Sequence, residues 1–342
     1  MSNKGYINIL TGLMAKKFLI VGPAWIGDMV LAQSLFIFLK QQDPQCQIDV
    51  ITPVWSQVVL ERMPEVTTII VLDIKHGSLK LWQRIRLGFK LRTNNYDKCI
   101  VIPRSWKSAL TPYFANIPKR CGYRGEMRYF LLNDIRPLDK SKLIPTVQKT
   151  LALGLAKAGV EIANIPLPKL KVDLDCQNNL LKKFNLKTNN IIALMPGAEY
   201  GKAKQWPLEY FSEVASKLKK RNYLVVVLGS KKDNLAGEQI AKSSGAINLC
   251  GKTTINESID LLATCKTVIT NDSGLMHIAA AVKSKVIAIY GSSSPNYTPP
   301  MTNNKQIHYL NLSCSPCFAR TCKFETYDCL RKISPQDVLS SC

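Results

Sequence analysis

The sequence predicts an α/β protein made of two doubly wound, Rossmann-like domains in tandem, and three observations predict it. Short β-branched apolar runs alternate with helical patterns. The alternation passes through two rounds, and a proline-marked stretch, Ile165-Pro166-Leu167-Pro168, separates them. Buried parallel strands read as near-continuous apolar runs, and each needs a crossover helix to reach its neighbour. In the first round, strands are expected at residues 17–22, 47–52, 68–73 and 98–103, with helices at 29–41, 55–63, 79–92 and 106–115. In the second, strands are expected at 191–195, 223–229, 246–249, 267–270 and 286–290, with helices at 208–221, 235–242, 255–264 and 275–282. Two such domains joined near residue 166 leave a cleft between the carboxyl ends of their sheets, where open α/β sheets place ligands.

A length of 342 residues suits two domains with a core each. No apolar run is long enough to span a membrane, because Asp28 interrupts the most apolar stretch. Residues 1–13 lack a signal-peptide pattern and read as a disordered extension ahead of Met14. Eleven cysteines without an export signal point to a reducing, cytoplasmic setting. The chain carries 46 Lys and Arg against 24 Asp and Glu, a net charge of +22, and residues 75–142 alone hold 16 against 4. Such a field exceeds what a neutral metabolite needs and fits nucleic acid, an anionic membrane face or a phosphorylated substrate. No helix-turn-helix or RNA-binding motif supports the first of these.

Three strand-to-helix turns carry the chemistry. Asn271-Asp272-Ser273-Gly274-Leu275-Met276-His277 follows an apolar strand and opens a helix, with Ser273 placed as N-cap. Unpaired amides and a partial positive charge converge there, and Gly274 lets an anion approach the backbone. His277 lies one turn on, along the same face. Gly22-Pro23-Ala24-Trp25-Ile26-Gly27-Asp28 is not the dinucleotide fingerprint, and it sets Asp28 at a helix start, as an N-cap or as a general base. Pro196-Gly197-Ala198-Glu199-Tyr200-Gly201-Lys202-Ala203-Lys204-Gln205-Trp206-Pro207 brings two glycines and the cations Lys202 and Lys204 to the same end of the second domain.

Together, Gly-Pro-Ala-Trp-Ile-Gly-Asp-Met-Val at 22–30, Lys-x-Trp-Pro at 204–207 and Asn-Asp-Ser-Gly-Leu-Met-His at 271–277 resemble the ADP-heptose:lipopolysaccharide heptosyltransferases, and within them the type II branch. Ser105-Trp106-Lys107-Ser108-Ala109, Gly122-Tyr123-Arg124-Gly125-Glu126-Met127-Arg128 and Cys314-Ser315-Pro316-Cys317 look like that branch too, and the motifs keep their order from about Lys16 to Val338. The resemblance implies the GT-B architecture, with an acceptor half over 14–166, a nucleotide-sugar half over 167–325, and a last stretch, 326–342, packing back on the first half. It implies inverting transfer of L-glycero-D-manno-heptose from ADP-L-glycero-β-D-manno-heptose to the first heptose of the lipopolysaccharide inner core, on heptosyl-Kdo2-lipid A. It also implies a cytoplasmic enzyme peripheral to the inner membrane. The alternative is the same fold and chemistry with another heptose acceptor, type I or III, or another nucleotide sugar.

By the same resemblance Asp28 is the general base, and Lys204 stabilises the departing ADP. Asp272 holds sugar hydroxyls, while Ser273, Gly274, Leu275, His277 and Lys202 serve the donor, with Asp233 on the ribose. Relatives often carry Thr where Ser273 stands. Arg104 departs from the small polar residue expected in type II relatives. The chemistry suits these residue types: breaking an anomeric C–O bond leaves negative charge on ADP, and a single displacement needs one base. No Asp-x-Asp pair follows an apolar strand in the donor half, so the reading requires no cofactor and does not imply magnesium.

Arg104, Lys107, Arg120, Arg124 and Arg128 are the candidates for the phosphates and carboxylates of the acceptor. The run 79–90 places apolar residues at 79, 82, 85 and 89 between basic ones. It reads as a crossover helix with a solvated basic face or as a segment resting on an anionic bilayer. Cys314, Cys317, Cys322 and Cys329 are spaced C-x2-C-x4-C-x6-C, in which only the first pair has zinc-like spacing. His76 and His308 belong to no motif.

Overall fold

A computed structural model describes residues 15–73, 79–156, 162, 164–186 and 190–342; the stretch 1–13 and His76 lie outside these. The first half contains β1 (Lys17–Val21), α1 (Ile26–Gln42), β2 (Gln47–Thr52), α2 (Val54–Leu60), β3 (Thr68–Val71), α3 (Leu81–Leu91), β4 (Lys98–Val101), α4 (Leu110–Phe114), β5 (Lys119–Tyr123), β6 (Asp134–Arg136) and α5 (Thr146–Ala152). The second contains α6 (Leu174–Lys183), β7 (Ile191–Met195), α7 (Leu208–Lys220), β8 (Leu224–Val227), α8 (Asn234–Ser244), β9 (Ile247–Asn248), α9 (Ile255–Leu262), β10 (Cys265–Asn271), α10 (Gly274–Ala281), β11 (Lys285–Ile289) and β12 (Lys305–His308), closed by α11 (Asp328–Arg331) and α12 (Pro335–Ser340).

Each half is one six-stranded parallel sheet, ordered β3-β2-β1-β4-β5-β6 and β12-β11-β10-β7-β8-β9. Both orders reverse direction at one point, between β1 and β4 and between β7 and β10. At such a switch point the flanking loops diverge and leave a crevice at the strands' carboxyl ends. The stretch after β1 carries Asp28, the stretch after β7 carries Lys204, and the stretch after β10 carries Asp272 and His277. The two-domain GT-B architecture is thus present, with its switch points on one cleft.

The halves meet along α1. Met29, Val30, Leu31, Ala32, Leu35 and Phe36 are all buried, on every side of the helix, because α1 packs on its own sheet, on α5 and on α10 of the other half. Two polar residues on α1 are buried for a separate reason. Gln33 donates to the Lys169 carbonyl at 2.7 Å and accepts the Lys169 amide at 2.9 Å, while Ser34 donates to the Pro166 carbonyl at 2.6 Å. The proline-marked linker is therefore sutured to α1. A second tie is the Arg62 guanidinium, which grips both oxygens of fully buried Asp260 at 2.9 and 2.8 Å.

Three strands escape the alternation pattern. β5 and β12 begin with charged or polar residues (Lys-Arg-Cys-Gly-Tyr, Lys-Gln-Ile-His), and β6 is only three residues long. The closing segment departs from expectation more sharply. It does not return to the first half: Leu330, Ile333, Val338 and Leu339 complete the core around Trp206 and Phe211 beneath α7, and the Trp206 indole donates to the Ile333 carbonyl at 3.0 Å. Those four apolar side chains cover sheet surface that α7 alone leaves open.

Removing one partner of a buried ion pair strands the other charge. Arg62→Met is expected to destabilise the protein by about 3 kcal/mol in urea unfolding; a loss under about 0.5 kcal/mol, the level of an exposed pair, would show that the tie contributes little.

Candidate active site

A cleft of about 540 Å³ opens between the two sheets, and Asp28, Lys204, Asp233, Asp272, Ser273, Gly274, Leu275 and His277 all line it. Asp28 sits in the first turn of α1, whose N-cap is Trp25, so it is not the capping residue. Burial raises its pKa and the Asp272 carboxylate adds to the rise, while Lys204 opposes it. A carboxylate held above its usual range is a better proton acceptor for a hydroxyl.

Lys204 and Asp272 form an ion pair, Nζ to Oδ2 at 2.6 Å, in which the carboxylate is almost fully buried. Its other oxygen accepts from the Thr298 hydroxyl at 3.4 Å. Asn271, the last residue of β10, fixes the Lys204 loop. Its side-chain oxygen Oδ1 accepts the Trp206 backbone amide at 3.0 Å, and its side-chain Nδ2 donates to the Pro196 carbonyl at 2.6 Å.

Ser273 occupies the expected N-cap position of α10 with extended backbone, yet makes no capping bond. Among the described residues, its hydroxyl and Nδ1 of His277 are buried polar atoms without a partner. Such orphans are rare in folded proteins, and these two belong to residues that line the cleft. Burial, aided by Lys204 and opposed by Asp272, pushes the His277 pKa down to about 4. The ring is therefore neutral at pH 7 and offers one N–H donor without a charge.

The N-termini of α1 and α10 touch. A Cβ on Gly27 would lie 2.7 Å from Cδ2 of His277, and Gly274 has Ile26 and the Gly27 amide beside it. A second close approach sits deeper in the rear half. A Cβ on Gly197 would fall 2.6 Å from an Asp233 oxygen, so the Pro196-Gly197 turn leaves room for that carboxylate. Asp233 also accepts the amide and hydroxyl of Ser230, at 2.8 and 2.7 Å, through one oxygen.

Other expected residues fall elsewhere. Lys202 is exposed and does not line the cleft. Arg128 is buried and spent on the fold, donating to the Tyr123 carbonyl at 2.6 Å and the Pro103 carbonyl at 2.6 Å, and burial pushes its pKa down to about 10. Arg120 donates to the Leu131 and Ile117 carbonyls at 2.8 and 2.6 Å. The Arg128 guanidinium is thereby closed to an acceptor, while half-buried Arg120 has two of its nitrogens committed to the fold. Arg104 and Arg124 are exposed and Lys107 half-buried, beyond the carboxyl ends of β4 and β5 and outside the cleft lining.

Among the described residues, no three His, Cys, Asp or Glu side chains are placed to hold a metal ion. The Cys314–Cys329 stretch instead buttresses the Lys204 loop. The Phe318 carbonyl accepts the Tyr200 hydroxyl at 2.6 Å, and the Arg320 carbonyl accepts the Ala203 amide at 3.0 Å. Sequence reasoning missed Asn271 and Thr298 as site residues, and Trp25, Trp55 and Tyr200 as cleft walls. For the tryptophans a signal existed: each follows a strand's carboxyl end within four residues.

The profile of glycosyltransferase family 9 (heptosyltransferase) matches residues 84–328. The chain belongs to this family and is a heptosyltransferase. It is 43% identical to the lipopolysaccharide heptosyltransferase 2 of Salmonella typhimurium, over 85% of this chain and 87% of that one. With the lipooligosaccharide heptosyltransferase 2 of Haemophilus influenzae it shares 45% identity, over 84% and 87%. The solved structure of the Escherichia coli ADP-heptose lipopolysaccharide heptosyltransferase II superposes with a TM-score of 0.83 at 38% identity, covering 95% of this chain and 97% of that one.

Two stability measurements test this electrostatic picture. Because the folded pKa of Asp28 lies above its unfolded value, its charge opposes folding once it ionises; Asp28→Asn is expected to raise the melting temperature at pH 7, and an unchanged or lower value would refute the burial. For His277 the folded pKa is depressed, so the unfolded chain binds the extra proton between about pH 4 and 6.5 and stability climbs with pH across that window. His277→Gln is expected to flatten that part of the curve.

Proposed function

We propose that the chain transfers L-glycero-D-manno-heptose from ADP-L-glycero-β-D-manno-heptose to the first heptose of heptosyl-Kdo2-lipid A, with inversion at the anomeric carbon. The observation that carries this reading is the shared cleft: an acid from the front half faces an ion-paired lysine and a helix N-terminus from the rear half.

In this reaction the acceptor oxygen attacks the anomeric carbon as the bond to the β-phosphate oxygen breaks. Asp28 takes the proton of the acceptor hydroxyl. The electron pair leaves with ADP, and its charge meets Lys204 and the amides opening α10. Ser273 Oγ and the neutral His277 ring supply donors to the diphosphate, Asp272 binds sugar hydroxyls, and the free oxygen of Asp233 takes the ribose. Arg104, Lys107 and Arg124 are assigned to the acceptor's phosphates and Kdo carboxylates, a reading supported by their place beyond the carboxyl ends of β4 and β5 and by the exposure of Arg104 and Arg124. No resident cofactor enters this chemistry. This reading makes the chain a cytoplasmic enzyme that works at the inner membrane, where its lipid-linked acceptor is held.

Asp28→Ala is expected to lower transfer by about 10²–10⁴-fold, the usual worth of a general base, while ADP-heptose affinity changes only a few-fold. Normal turnover by the variant would remove Asp28 from the mechanism. Proton NMR of the product fixes the anomeric configuration, and a retained configuration would overturn the single displacement.

A further inference from the structure

The apolar stripe of α3 faces outward. Sequence periodicity groups Leu79, Trp82, Ile85 and Phe89 on one side of the segment, yet the buried residues of α3 are Arg84, Gly88 and Leu91. Gly88 lets α3 close onto α4, since a Cβ there would lie 2.7 Å from the Thr111 carbonyl oxygen. Trp82 is left 79% exposed, with Leu79 and Phe89 also exposed, and the exposed cations Lys80, Arg86 and Lys90 lie among them.

A second apolar projection lies on the β5–β6 loop. Met127 and Phe130 are 86% and 89% exposed. They are not on a loose strand of chain: buried Arg128 between them ties the loop to the Tyr123 and Pro103 carbonyls, and Glu126 accepts the Trp106 amide at 2.9 Å. Trp106 opens the turn leading into α4, and α4 packs on α3, where Phe89 and Phe114 stack with centroids 5.6 Å apart. From residue 79 to 133 there are twelve Lys and Arg against two acids, both engaged: Asp97 accepts the Lys17 amide, and Glu126 the Trp106 amide.

We infer that α3 and the β5–β6 loop form a docking face for an anionic lipid bilayer. Charge complementarity selects this occupant: tryptophan and phenylalanine interspersed with exposed cations suit the headgroup boundary, whereas a protein partner's core would be depleted of Lys. The face deepens the proposed function, because its acceptor is membrane-borne, and it rests on that reading only for its purpose.

The test is co-sedimentation of the full chain with phosphatidylcholine vesicles and with vesicles containing about one-third phosphatidylglycerol, a composition chosen to give a strongly anionic surface. Binding is expected to the anionic vesicles alone, weakening with salt, and to drop about ten-fold or more in Trp82→Ser/Phe89→Ser and in Met127→Ser/Phe130→Ser. Both double variants are expected to keep wild-type transfer to a delipidated, water-soluble acceptor, which reads the proposed reaction independently. Absence of vesicle binding, equal binding by the variants, or loss of self-association in place of vesicle binding would each overturn the inference. Failure of transfer in the wild type would instead strike the proposed function and leave the vesicle result standing.

Discussion

Contact between the first turns of α1 and α10 is the constraint on which the site depends. Asp28 belongs to one half and His277, Asp272 and Lys204 to the other, so only the seam brings them to one cleft. Gly27 makes that contact possible, since any side chain there would occupy the space of the His277 ring. Around it, α1 is buried on every side, and Gln33, Ser34 and Arg62 lock the linker and the facing half to the helix region. The seam also brings the N-terminal turns of α1 and α10 side by side at the cleft.

Charge in the cleft is arranged at the expense of stability. Two carboxylates and one lysine share a partly desolvated space, and burial together with the Asp272 charge makes Asp28 harder to ionise. Lys204 is held by Asp272, which fixes the cation in place; in the proposed reaction a diphosphate would meet it already oriented. His277 stays neutral because burial outweighs the nearby acid. Sites that break local rules in this way are where function and folding stability pull apart.

Much of this was legible in the chain. The two rounds of strand and helix followed from apolar runs such as Ile191–Met195, and the three strand-to-helix turns placed Asp28, Lys204 and the 272–277 run correctly at the cleft. What stayed hidden depended on tertiary partners. Nothing in Arg120 or Arg128 distinguishes a guanidinium that ties carbonyls from one that awaits an anion; only the folded positions of Tyr123, Pro103, Leu131 and Ile117 decide it. The inverted face of α3 was hidden for the same reason, because Gly88 and Arg84 bury where periodicity favours Trp82 and Phe89. The closing segment was misplaced because its apolar residues could have covered either sheet, and the gap beneath α7 is visible only once the rear half is folded.

A structure of the enzyme with ADP-heptose bound tests the central claim most directly. The account requires the diphosphate between Lys204 and the opening turn of α10, within hydrogen-bond reach of Ser273 and His277, with the anomeric carbon turned toward Asp28. A nucleotide seated elsewhere, or an Asp28 screened from that carbon by the protein, would contradict it.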